Sequence, residues 1–158
     1  MAGVLHGGQR PLVLLHEGRR TDPGELEREI AADRGDYLAP PGGVLLVARH
    51  DGRPAGTAGV RLMDPATAEL KRVFVHPDVR GKGGAPLLVT AAEDAARALG
   101  AIGVSPVRAK SRTWGRMVLD TRNDLVEART LYARLGYEET APYNDSEYAE
   151  HWFAKQLT

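Results

Sequence analysis

Between Val44 and Val75 the chain carries three strand-length runs separated by two sharp turn signals. Val44–Arg49 is a short apolar run, and the next four residues, His50–Arg53, contain the Asp-Gly pair that favours a tight hairpin. Pro54–Leu62 returns as a second strand, in which Gly56 and Gly59 either weaken the strand or mark a bulge. Asp64-Pro65 turns the chain again, and Ala68–Val75 makes a third strand. Connections this short force antiparallel neighbours, because a parallel pair needs a crossover of about a dozen residues or more. An antiparallel meander is the framework around which the rest of the chain must be arranged.

Before it, Pro11–His16 reads as a buried strand. Asp22, Pro23 and Glu25 carry the signature of a helix start that runs to about Arg34, and Asp36–Gly43 is loop. After it, His76–Lys82 is a polar loop that leads into an amphipathic helix. Leu87, Leu88, Ala91, Ala92, Ala95 and Leu99 share the inner face of that helix, and Thr90, Glu93, Asp94 and Arg97 the outer. Gly100 ends it. Ala101–Gly115 has no clear period, and Arg116–Thr121 is a strand. Asp124 with Glu127 caps a last helix whose apolar face is Leu125, Ala128, Leu131, Tyr132 and Leu135, closed by Gly136. Tyr137–Tyr143 and His151–Leu157 finish as two strands. The expected architecture is a single α+β domain over residues 1–158, a mostly antiparallel sheet flanked by helices.

Charge and composition narrow the function classes. Lys plus Arg and Asp plus Glu each number 21, so no global field recruits nucleic acid or an anionic membrane. Anion binding must then be local. The absence of Cys removes disulfides, thiolate metal sites and a cysteine nucleophile. The five His show no ligand spacing, so no metal is expected. No Ser lies in a Gly-x-Ser-x-Gly context. The first residues lack the basic start and apolar run of a signal peptide, and no stretch is long enough to span a bilayer, which makes a cytoplasmic protein the simplest expectation.

One local anion site stands out. The strand ending at Val75 joins the following helix through Arg80-Gly81-Lys82-Gly83-Gly84-Ala85. Glycines allow close backbone approach to a ligand, the helix start offers unpaired N–H groups, and Arg80 and Lys82 add charge. A solvated loop that merely starts a helix is the plainer reading. Neither a Walker loop nor the dinucleotide fingerprint is present.

At these residues the chain resembles the GNAT superfamily of N-acetyltransferases, whose main motif, Arg/Gln-x-x-Gly-x-Gly/Ala, is met by Arg80, Gly83 and Ala85. Ala68–Pro77 is similar to the family's preceding strand. A second block resembles the family through Leu119–Asn123, Ala128, Leu131-Tyr132 and Leu135-Gly136-Tyr137. The likeness covers Val44 to the C-terminus. It implies a sheet splayed into a V that admits acetyl-coenzyme A as cosubstrate, with the pyrophosphate on Gly81–Ala85. It implies that the pantetheine arm pairs as an extra strand with Val73, Phe74 and Val75. It further implies Tyr132 as the general acid toward the departing thiolate, and Glu69 as a base or a carboxylate that orders a water. Asn123 would contact the cofactor or cap the helix, and capping alone would also explain it.

Two departures from the family pattern are visible: Pro86 removes one N–H donor from the first turn, and Ala101–Gly115 is longer than the usual link. The expected activity is acetyl transfer to a primary amine, most simply of a small molecule, in a ternary complex. A non-catalytic acyl-coenzyme A sensor and an unrelated interaction module are the rivals. The sequence leaves the acceptor open, and also whether the protein is a homodimer.

Overall fold

The computed structural model describes residues 36–103 and 115–157. The strand predicted at residues 11–16, the helix at 22–34 and most of the aperiodic segment lie outside the described residues.

The meander forms as its turns dictate. Strands β1 (Gly43–His50), β2 (Arg53–Asp64) and β3 (Thr67–Val75) pair antiparallel in chain order. The hairpin between β1 and β2 holds Asp51 at φ 50° and Gly52 at φ 75°, the mirror-turn geometry that matches strand twist. The irregularity signalled by Gly56 and Gly59 exists on both strands: against β1 the extra residue is Ala55 of β2, where the register shifts between Ala48 and Arg49, and against β2 it lies on β3. Thr57 faces Phe74 while Gly59 faces Lys71, so β3 spends three steps where β2 spends two. Arg72 lies in the surplus step at φ 52°, and its carbonyl accepts the Thr57 hydroxyl at 2.9 Å. The bulge switches parity. Ala68 and Leu70 enter the core before it, and Val73 and Val75 pack against the core after it, leaving Glu69 and Lys71 on the opposite face.

Helix α1 (Gly84–Gly103) crosses the meander. It sits close because β2 has no side chain at Gly56, where a Cβ would lie 2.5 Å from the Phe74 carbonyl and 2.8 Å from Leu88. Two expectations for this helix need correction. It does not end at Gly100, which is buried inside it, where packing overrides the weak helical propensity of glycine. Its inner face is also rotated: Leu87 is 66% exposed, whereas Glu93 is only 5% exposed. Glu93 tolerates the interior because Lys155 Nζ donates to it at 2.9 and 3.1 Å and the Tyr137 hydroxyl at 3.0 Å. A hydrophobic period cannot see such partners.

The chain then adds β4 (Arg116–Thr121) parallel to β3, helix α2 (Val126–Arg134), a two-residue β5 (Glu138–Glu139) and β6 (His151–Gln156). Strand order across the sheet is β1-β2-β3-β4-β6-β5. The predicted strand Tyr137–Tyr143 shrinks to β5 plus one bond from Thr140 N to the Trp152 carbonyl, since Pro142 cannot extend the ladder. The expected cap of α2 is also absent. Leu125 holds the cap position and no side chain bonds the helix start, while the Asp124 carboxylate receives Arg122 instead. Gly136 at φ 89° follows the helix as expected. Leu88, Val89, Ala92 and Ala96 of α1, Met117 and Leu119 of β4, Tyr132 of α2 and Phe153 of β6 belong to one continuous core.

Candidate active site

Strands β3 and β4 pair only over Thr67–Glu69 and Arg116–Val118. Beyond those residues they part. The rest of β3, including the half-buried Val73, Phe74 and Val75, and the Leu119–Thr121 end of β4 face a gap that no strand among the described residues fills.

At the open end of β3 the chain makes one tight turn over Pro77–Val79, in which the His76 ring accepts the Asp78 N–H at 3.2 Å. Arg80 then folds back, donating from Nε to the Val75 carbonyl at 3.0 Å with its guanidinium over the Phe74 ring. Gly81 and Gly83 have φ of 76° and 78°, where an L side chain is strained, and a Cβ built on either meets nothing within 4 Å. The cradle is thus open, and its conformation needs glycine. Helix α1 starts at Gly84 with no acidic residue in its first turn, and Pro86 removes one of its donors. Lys82 is exposed and pairs with no acid among the described residues. These groups suit a phosphate.

The two faces of the sheet bring different chemistry to the gap. From the core side comes Tyr132, 6% exposed, packed against Tyr137 and Phe153 with ring centroids 5.8 and 6.2 Å away. Burial, then the charge of Asp120, push its phenol well above the usual tyrosine range. Its hydroxyl makes no hydrogen bond to a described residue, unlike those of Tyr137 and Tyr143. Its proton is therefore held but not committed.

On the opposite face lies Glu69, fully buried. Arg61 Nε donates to its Oε2, the Tyr143 hydroxyl donates to Oε1 at 3.0 Å, and Lys71 Nζ stands 3.4 Å from Oε1. Asp120, two residues past the last paired position of β4, shares this face. The Asn144 amide donates to its Oδ2 at 2.5 Å, and the Trp152 indole donates to Asn144 Oδ1 at 2.8 Å. The indole can only donate and the carboxylate only accept, so the orientation of Asn144 is fixed. Asp120 pairs with no cation among the described residues. Burial, then the charges of Glu69 and Asp120, push the Tyr143 phenol up.

Of the predicted residues, Glu69 and Tyr132 approach the parting of the strands from opposite faces, and the glycine loop stands at its open end. Asn123 does not cap α2: its Oδ1 lies 2.9 Å from His151 Nε2. Asp120 and Asn144 were given no role of their own by the sequence. Asp120 carried a readable signal, a lone acid inside the apolar strand Met117–Thr121. Tyr143 and Asn144 lie in the segment Ala141–Glu150, which the sequence offers only as a variable loop on the acceptor side, with Tyr143 among the C-terminal aromatics that could line an acceptor pocket.

Residues 41–139 match the acetyltransferase (GNAT) domain family. The chain belongs to that family. It is 34% identical over 120 residues to an uncharacterized N-acetyltransferase of Schizosaccharomyces pombe, a match that covers 75% of this chain and 65% of that protein. Among solved structures it resembles a GNAT-family acetyltransferase from Staphylococcus aureus, with a TM-score of 0.67, 15% identity, and 88% and 82% of the two chains covered. It also resembles a GNAT-family acetyltransferase from Elizabethkingia anophelis with acetyl-CoA bound, with a TM-score of 0.64, 14% identity, and 99% and 97% covered. At these identities the two structures show that this GNAT chain has the GNAT fold: a mixed sheet, antiparallel except where β3 meets β4, opened at that pair.

Proposed function

We propose that this GNAT protein transfers an acetyl group from acetyl-coenzyme A to a primary amine of a small molecule by direct attack in a ternary complex. The observation that carries the reading is the gap between β3 and β4, with the Tyr132 phenol on one face and, on the other, the Asp120 carboxylate, which pairs with no cation among the described residues. Gly81–Ala85 with Arg80 and Lys82 hold the diphosphate, and Val73–Val75 offer main-chain groups to the pantetheine. Acetyl-coenzyme A, when bound, supplies an activated thioester.

Asp120 receives the acceptor's ammonium and takes one proton from it. The nitrogen then bonds to the acetyl carbon as the carbon–sulfur bond breaks. Tyr132 gives its proton to the sulfur and regains one from the nitrogen as the amide forms. Asp120 returns its proton to solvent, which balances the reaction. Glu69, offered by the sequence as the base, has both oxygens engaged, so we assign it to fixing Arg61, Lys71 and Tyr143.

Thiol release from acetyl-coenzyme A, measured with a panel of amines, tests the activity. A thermal melt with coenzyme A tests the cradle, since ligand at 100 times its dissociation constant adds about 2.7 kcal/mol. Asp120→Asn should slow turnover on the order of 10²-fold near neutral pH. Glu69→Gln should lower stability more than it lowers the rate per folded enzyme. The reverse order would return the base to Glu69.

A further inference from the structure

The first positions at which the parting strands no longer pair are Leu70 on β3 and Leu119 on β4, both core-facing. The next ones, Lys71 and Asp120, are the first to reach the opposite face across the gap, one on each bank. They carry opposite charges, yet no ion pair within 4.0 Å joins them.

Charge bookkeeping on this face makes the separation meaningful. Glu69 is one carboxylate shared by two cations, Arg61 and Lys71, so that cluster holds one positive charge in excess. The side chain of Lys71 is 28% exposed, and Nζ has three donors of which Glu69 occupies one direction at 3.4 Å. Asp120 is the converse: one of its oxygens is held by a neutral amide, and its negative charge is unmatched among the described residues. Tyr143 donates to Glu69 and its neighbour Asn144 donates to Asp120, so one loop reaches both clusters. The face thus presents a positive pole on β3 and a negative pole on β4.

We infer that the acceptor is a zwitterion of the amino-acid class, its carboxylate read by Lys71 and its ammonium by Asp120. The inference rests on the acetyl-transfer reading, because it names the substrate class of that same gap. An amine without a carboxylate leaves the positive pole unpaired. A dicarboxylate without an amine sets two anions beside Asp120. A molecule carrying both charges matches both banks.

The test compares free amino acids with their carboxamides, which keep the amine and side chain and lose the negative charge, each pair being compared at a pH low enough that both amines are ammonium. Thiol release from acetyl-coenzyme A gives kcat/KM for each pair, and calorimetry on the protein loaded with coenzyme A gives binding of the same pairs. The expected result is a preference of about tenfold or more for the acid over the amide, as a hydrogen bond to a charged group commonly gives. Lys71→Met should shrink this ratio towards one, and Lys71→Arg should keep most of it. Taking the ratio within each variant cancels any general loss caused by disturbing Glu69. Equal or better use of the amides, or an unchanged ratio in Lys71→Met, overturns the inference and leaves acetyl transfer standing. Failure of the protein to bind coenzyme A overturns the acetyl-transfer reading itself, and this inference with it.

Discussion

Tyr132 shows how one residue can look like core and act as a reagent. Its ring packs between Tyr137 and Phe153, which is why its helical spacing reads as apolar, but its hydroxyl has no bond to any described residue. Tyr132→Phe should therefore leave the melting temperature and coenzyme A affinity nearly unchanged while kcat falls roughly 10²-fold. Steady-state kinetics beside a thermal melt would check this, and full activity in the variant would remove Tyr132 from the mechanism. The sign of its pKa shift adds a pH expectation. Because burial raises the folded value, the acid form persists as pH climbs past about 10, where an ordinary tyrosine ionises. The alkaline limb of kcat set by this group should accordingly fall above that pH, and a limb near neutrality would belong to another group. At this scale the sequence showed the aromatic and its motif position but not the missing hydroxyl partner. That absence depends on Tyr137 finding Glu93 and Tyr143 finding Glu69 elsewhere in the fold.

Elements are held by contacts that their own patterns hide. Helix α1 is pinned to β6 by the Glu93–Lys155 pair, with Lys155 Nζ also 5.5 Å from the Tyr137 ring centroid. Lys155→Met leaves Glu93 buried with only the tyrosine hydroxyl, and should cost about 3 kcal/mol in urea unfolding. Replacing both, Glu93→Leu with Lys155→Met, should cost less than the single change. A double variant weaker than Lys155→Met would show that the pair is a net stabiliser. The loop before α1 obeys different physics, because Gly81 and Gly83 are open to solvent and held at positive φ. Gly83→Asp should lower stability by only about 1 kcal/mol, yet abolish measurable coenzyme A binding in calorimetry by placing a carboxylate where phosphate must lie. Tight binding in that variant would put the diphosphate elsewhere. Turn chemistry made the loop and the hairpin legible, because Asp-Gly and clustered Gly act within a few residues. The bulge at Arg72 was not, since an extra residue on β3 answers glycines on β2 that lie far from it in sequence.

Across the whole molecule, the meander, α1, β4 and α2 could be read from local pattern. The gap that defines the site could not. It follows from where parallel pairing stops, at Glu69 and Val118, a fact about two strands separated by the whole of α1. The same separation concealed the polar face, where a loop near Tyr143 returns to meet β3 and β4. The family resemblance supplied the V before any coordinate did, while composition and period gave only its strands. The central claim is that acetyl-coenzyme A lies along this opening with its diphosphate on the glycine loop. Amide hydrogen exchange, with and without saturating acetyl-coenzyme A, measures that placement residue by residue. The account predicts new protection at Val73–Val75 and at Gly81–Ala85 together, with little change along β1. Saturation of the protein without protection at either segment would contradict it.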